Sequence, residues 1–230
     1  MSDDKAPATA IAFFDVDGTI VDATVVHYYA YFATRGYSSL KRARWTAAFL
    51  PRMLYYLVLD KISRSRFNQV FYRNYRYFDI DQCRSWSQDH FENVIRPRLF
   101  GGAVERIRQH QQRGEKVVLV TGSLDFIIQP LADFLGADDL IAVSMHEREG
   151  LLTGELTGPP VGDEEKARII QAYASRHHID LAPCYGYADS SSDLPMLQTV
   201  GKAVVVNPKG GLLKEAERDG WEVVNWKVGS

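Results

Sequence analysis

Asp15 and Asp17 stand one residue apart at the end of an apolar run, in "AIAFFDVDGTIVDA". Two like charges placed so close repel, and their repetition of chemistry along the chain gives that repulsion a use. Thr19 follows the pair, Thr121, Gly122 and Ser123 follow "VVLV", and Asp189 and Asp193 follow "YGYA". Lys166, in "GDEEK", is the only lysine between Lys116 and Lys202. Four acids, hydroxyls and an amine suit attack on a phosphoryl group by a carboxylate. A hard divalent cation with oxygen ligands, Mg²⁺, must then bridge carboxylate and phosphate. The ammonium, the hydroxyls and backbone N–H groups at a helix start hold the remaining phosphate oxygens. The second aspartate can protonate the leaving oxygen and later deprotonate water.

Other readings exist for each residue. A calcium loop would place its glycine sixth, after a helix, whereas Gly18 is fourth and follows a strand-like run. Asp189 and Asp193 could serve as a helix N-cap and a first-turn acid. Thr121 could cap a helix beginning near Ser123. Lys166 could lie on an exposed helix face, the usual place for lysine.

The elements that would position these groups alternate. Thr9 to Asp15 reads as a buried strand, and similar runs recur around Val120, Val143, Tyr187 and Val205 and near the end in "WEVVNW". Helical spacing fills the intervals at 103–113, 124–135, 164–178, 193–199 and 212–218. Strands alternating with helices predict an α/β fold, a Rossmann-like parallel sheet whose ligand sits beyond the strands' carboxyl ends. Residues 22–97 break the pattern and read as a helical insertion, with 1–21 and 98–230 forming the core. "HEREGLLTGEL" predicts a hairpin. The aromatics of the insertion, at three-to-four spacing, are read as core of a small helical subdomain.

Composition narrows the function classes. A chain of 230 residues with 46% hydrophobic residues is that of a globular domain, and a net charge of −2 gives no global attraction to nucleic acid. From Arg35 to Arg76, however, ten Lys/Arg face a single acid, Asp60. Arg42, Arg44, Arg52, Arg73 and Arg76 are therefore candidates to meet an anionic substrate or an anionic lipid surface. The start "MSDDKAPATA" lacks a basic then apolar leader. "WTAAFLPRMLYYLVLD" is interrupted by Pro51 and Arg52 and is too short to span a bilayer. A cytoplasmic protein with at most peripheral membrane contact is expected. Cys83 and Cys184 form no CxxC, so neither a zinc site nor a disulfide is suggested.

The whole pattern resembles the haloacid dehalogenase-like superfamily, specifically its phosphoserine-phosphatase-like branch, subfamily IB. "DVDGT", "VTGS", Lys166 and "YADSSSDLP" match its four motifs in order, and "GSLDFIIQPLADFLGAD" and "AVVVNP" are similar too. The resemblance implies that Asp15 is the nucleophile and Asp17 the general acid/base. It implies phosphate contacts from Thr121 and the Gly122 N–H, flanked by Thr19 and Ser123, and from Lys166, which would also pair with Asp15. It implies Mg²⁺ between Asp15, the Asp17 carbonyl and Asp189, with Asp193 supporting, and a helical cap in the position of the insertion. Where that branch commonly carries "GDGxND", Ala188 precedes Asp189 and Ser192 precedes Asp193. The metal ligands are intact, while Ser192 becomes a substrate-side candidate and serine specificity does not transfer.

The expected activity is a phosphomonoester phosphatase acting on a small phosphorylated metabolite, an amino-alcohol phosphate or similar. Alternatives are a lipid head-group phosphatase at a membrane surface, a phosphotransferase and a non-catalytic binder of anions. Dehalogenation is disfavoured, because halide needs no proton from Asp17.

Overall fold

The computed structural model describes residues 10–229. Thr9 and the segment before it, on which the reading of the amino terminus rests, lie outside the described residues, as does Ser230. Six parallel strands form one sheet in the order β3-β2-β1-β6-β7-β8. They are β1 (Ile11–Phe14), β2 (Lys116–Leu124), β3 (Asp139–Val143), β6 (Tyr185–Ala188), β7 (Lys202–Val206) and β8 (Glu222–Val224). All four residues of β1 are fully buried, as a central parallel strand covered on both faces must be. Its Phe14 ring stacks on Tyr187 of β6 at 4.0 Å.

The helices α5 (Gly101–Gln112), α6 (Asp125–Leu135), α7 (Glu164–His177), α8 (Leu194–Thr199) and α9 (Leu212–Asp219) follow the expected spacing. One boundary differs. β2 runs on to Leu124, so α6 begins at Asp125 rather than near Ser123, and Thr121 caps no helix. The strand order reverses between β1 and β6. Their carboxyl ends therefore splay around a crevice, where ligands bind in open parallel sheets.

Between β1 and β2 the chain forms α1 (Val25–Thr34), α2 (Ser39–Ile62), α3 (Arg64–Phe71) and α4 (Ile80–His90). It leaves and re-enters the sheet through a short antiparallel pairing, with Asp22 N donating to Arg98 O and Phe100 N to Ile20 O, both at 2.9 Å. Tyr29 sits at the centre of an aromatic cluster with Trp45, Phe49, Phe71, Tyr75 and Phe78, so these rings are core, as their spacing predicts. Pro51 does not interrupt α2, a single helix of 24 residues. The lost backbone hydrogen bond is outweighed by the stripe of Trp45, Phe49, Met53 and Tyr56, which packs inward. No helix among the described residues is long and apolar enough to cross a membrane.

The expected hairpin is β4 (Met145–Arg148) with β5 (Leu151–Leu156), turning at Glu149 and Gly150, both at positive φ. It holds the helical segment from the side. Tyr77 N donates to Leu152 O and Leu152 N to Phe78 O, each at 2.8 Å. Both cysteines are buried and free.

Candidate active site

β1 delivers Asp15 into the crevice, and two partners fix its carboxylate. Lys166 Nζ lies 2.5 Å from Asp15 Oδ1, and Thr19 Oγ1 donates to Asp15 Oδ2 at 3.0 Å. The lysine extends from the first turn of α7 and is itself buried, 2.7 Å from Asp193 Oδ1. Burial alone would discharge Lys166, but the Asp15 and Asp193 carboxylates more than compensate and hold its pKa above the ordinary value. The exposed-helix reading of Lys166 is thereby excluded.

Asp15, Asp189 and Asp193 are all buried, with one oxygen of each lying within 4.8 Å of the others. Burial, followed by the Asp15 charge, pushes Asp189 up to about 6. Burial also raises Asp193, against the pull of Lys166. Three carboxylates crowded together repel one another, and a hard cation relieves that repulsion. An all-oxygen set of this kind fits Mg²⁺ or a similar ion. Lys209 currently lies 2.6 Å from Asp189 Oδ2, and its ammonium supplies part of that relief. Gly18, at φ 92°, is required here. A Cβ would fall 2.1 Å from Asp189 Oδ2.

The Asp17 side chain does not join this cluster. Its Oδ2 accepts from Ser123 Oγ at 2.6 Å and from Thr121 Oγ1 at 3.2 Å, so the β2 end orients it away from the three acids. Its Oδ1 is enclosed and has no hydrogen-bond partner among the described residues. Burial, then the Asp15 charge, raises its pKa, against the Ser123 hydroxyl. A carboxyl raised in this way beside an ionic cluster is suited to act as a general acid.

A closed cavity of about 30 Å³ is lined by Asp15, Asp17, Gly122, Val161, Lys166 and Asp193 from below, and by Thr24, Val25, Arg64 and Asn68 from the helical segment. Gly122 cannot carry a side chain, since a Cβ would meet Val161 O at 2.6 Å and Asn68 Nδ2 at 2.7 Å. Its carbonyl accepts from Tyr72 Oη at 2.5 Å. Ser192 faces a neighbouring cavity with Lys209, its hydroxyl 3.1 Å from Ser190 Oγ, and does not line the closed one.

None of the five arginines singled out by composition lines that cavity. Arg73 and Arg76 back the hairpin at Gly154, and Arg42 lines a separate cavity of about 870 Å³ with Arg35, Trp45 and Trp86. The arginine that does line it is Arg64, whose basic character Asp60, at 2.8 Å, and the site carboxylates reinforce despite burial. α3 is latched over the crevice by Asp163, whose Oδ2 accepts from Ser65 N at 3.0 Å and Ser63 Oγ at 3.3 Å. Sequence spacing carried no signal for Arg64 against nine other basic residues. For Lys209 the only signal was its place directly after "AVVVNP", and for Asn68 there was none.

The haloacid dehalogenase-like hydrolase family matches residues 12–198, and the chain belongs to that family. A probable phosphatase of Mycobacterium tuberculosis is 34% identical over 221 residues, covering 95% of this chain and 76% of its own. A histidinol-phosphatase of Neisseria meningitidis is 26% identical over 239 residues, covering 94% and 99%. A substrate-bound phosphoserine phosphatase superposes with a TM-score of 0.69 at 19% identity, over 95% of this chain and 94% of that one. Together the family and its relatives make this chain a phosphatase with an α/β Rossmann-like core.

Proposed function

We propose that the chain is a Mg²⁺-dependent phosphomonoester phosphatase working through an aspartyl-phosphate on Asp15. The observation that carries this reading is the fixing of Asp15 between Lys166 and Thr19 while Asp17, beside it, is held apart by Ser123 and Thr121. Asp15, the Asp17 carbonyl and Asp189 would hold Mg²⁺, with Asp193 supporting. The cation would offset the repulsion between carboxylate and phosphate.

In the first step Asp15 Oδ bonds to phosphorus as the ester P–O bond breaks, and Asp17 gives its proton to the leaving oxygen. Asp17 then takes a proton from the water that attacks phosphorus, which frees Asp15 and inorganic phosphate. Lys166, the Gly122 N–H and the hydroxyls of Thr19, Thr121 and Ser123 would neutralise and orient phosphate oxygens. For Thr121 and Ser123 this means leaving Asp17, which they now hold. Residues 22–97 act as a cap on the core of 1–21 and 98–230, excluding water through Arg64 and Asn68. Ser192, outside the closed cavity, would meet substrate only at its rim.

At about 30 Å³ the cavity has room for little more than a phosphoryl group, so the cap must move to admit a substrate. A small phosphorylated metabolite, such as an amino-alcohol phosphate, is the proposed one, with Arg64 positioned for a second anionic group. Relatives named for histidinol phosphate and phosphoserine support a small substrate without choosing one. A lipid phosphate is the second reading. An apolar slot of about 80 Å³, lined by Val26, Met53, Tyr56, Leu57 and Phe67, shares Thr24, Val25 and Arg64 with the cavity. Turnover of amino-alcohol, sugar, nucleotide and lipid phosphates with Mg²⁺, with and without acceptor alcohols, separates these substrates and tests for phosphotransfer. No turnover of any of them, or an Asp15→Asn variant with near-normal activity, contradicts the proposal.

A further inference from the structure

α2 is apolar on both sides. Its inward stripe contacts the aromatic cluster, and Phe49 and Tyr56 are its only buried residues. Its outward face carries Leu40, Leu50, Leu54, Tyr55, Leu57, Val58 and Ile62, each between 53% and 66% exposed. Those seven outnumber the five large apolar side chains exposed on all the other described elements. At 100° per residue, Leu50, Leu54, Leu57, Val58 and Ile62 fall on one side of the helix, about 36 Å long at 1.5 Å per residue. Folding does not explain this face, because it covers nothing among the described residues.

The charges on the same helix are one-sided. Lys41, Arg42, Arg44, Arg52 and Lys61 are exposed, and none forms an ion pair among the described residues. The single acid of α2, Asp60, is half-buried and neutralised by Arg64 at 2.8 Å. By the same spacing Lys41 and Arg52 flank the ridge on one side, while Arg44 and Lys61 project from it near its two ends. The exposed face is thus apolar with only cationic charges, which matches an interface whose interior is hydrocarbon and whose rim is anionic. Long basic side chains can reach that rim while their stems lie along the apolar ridge.

We propose that the outward face of α2 docks this protein, in the plane of the interface, onto an anionic lipid bilayer. The ridge inserts to the depth of the acyl boundary and Lys41, Arg44, Arg52 and Lys61 meet the head groups. The carboxyl end of α2 leads directly into α3 and Arg64, so docking places the rim of the cavity beside the lipid surface. This holds whatever phosphate the site hydrolyses.

The test is sedimentation of the whole chain with phosphatidylcholine vesicles, alone or doped with phosphatidylglycerol. The protein should pellet with the doped vesicles, remain free with phosphatidylcholine alone and be released by high salt. Leu54→Glu with Val58→Glu should weaken pelleting by about tenfold or more, with turnover of p-nitrophenyl phosphate unchanged. Leu213→Glu, on exposed α9, should pellet as the parent does. Absence of pelleting, or undiminished pelleting of the double variant, overturns the proposal. A dimer in sedimentation velocity that the double variant dissociates overturns it as well, and assigns the face to a second copy of the chain.

Discussion

The Lys166 ammonium lies 2.5 Å from the Asp15 carboxylate, and both groups are almost fully shielded from solvent. A buried pair of this kind costs desolvation on both sides, and removing one partner leaves the other charge stranded. Lys166→Met should therefore destabilise the fold by about 3–5 kcal/mol as well as abolish turnover. Chemical denaturation checks the first effect. A midpoint unchanged from the parent would show that the pair is not formed.

Asp17 is assigned a proton-carrying role, so the cost of Asp17→Asn should depend on the leaving group. With an alkyl phosphate, turnover should fall about 10²–10⁴-fold. With p-nitrophenyl phosphate, whose phenolate leaves without a proton, the first step should be spared and the loss smaller. Equal losses on both substrates would remove Asp17 from that role.

The Asp15, Asp189 and Asp193 cluster should bind magnesium tightly enough to stabilise the fold by mass action. The thermal midpoint of the parent should rise with Mg²⁺ and fall back on chelation, and that of Asp189→Asn should respond to neither. Lys209 Nζ lies 2.6 Å from Asp189 Oδ2 and would compete with the ion for that oxygen. Lys209→Ala should thus bind Mg²⁺ more tightly, as calorimetry can measure.

Arg64 reaches the cavity from α3, where a second anionic group of the substrate would lie. Arg64→Gln should raise KM for the best substrate far more than it lowers kcat. Arg44→Gln, on the exposed side of α2, should leave both constants unchanged. The reverse ranking would return specificity to the outer arginines.

His90 is buried between the rings of Tyr28, Tyr31 and Phe32, and neither ring nitrogen has a partner among the described residues. Burial holds its pKa down at about 3. The folded state keeps it neutral while the unfolded chain takes up a proton below about pH 6.5. Its contribution to stability is complete above that pH and is lost progressively as pH falls toward about 3. His90→Leu should lose less stability than the parent between about pH 7 and pH 4, on urea titrations at each pH.

The sheet and the motif residues were legible because a parallel strand announces itself as an apolar run and its chemistry follows at the carboxyl end. Asp15 and Asp189 follow this rule, while Thr121 lies inside β2, which runs on past the apolar stretch to Leu124. The orientation of Asp17 was not legible, because it depends on a hydroxyl from another strand, Ser123. Arg64 was hidden for a similar reason. Its place is set by the Asp163 latch, almost a hundred positions away in sequence, and nothing local distinguishes it from Arg52 or Arg73.

The central claim is that phosphorus is carried on Asp15. Parent enzyme mixed with Mg²⁺ and p-nitrophenyl phosphate, quenched in acid during turnover and digested, tests it directly by mass spectrometry of the peptide around "FFDVDGT". The account predicts one added phosphoryl group on Asp15, absent from Asp15→Asn. Turnover with that peptide unmodified, or with the phosphoryl group on another residue, would contradict it.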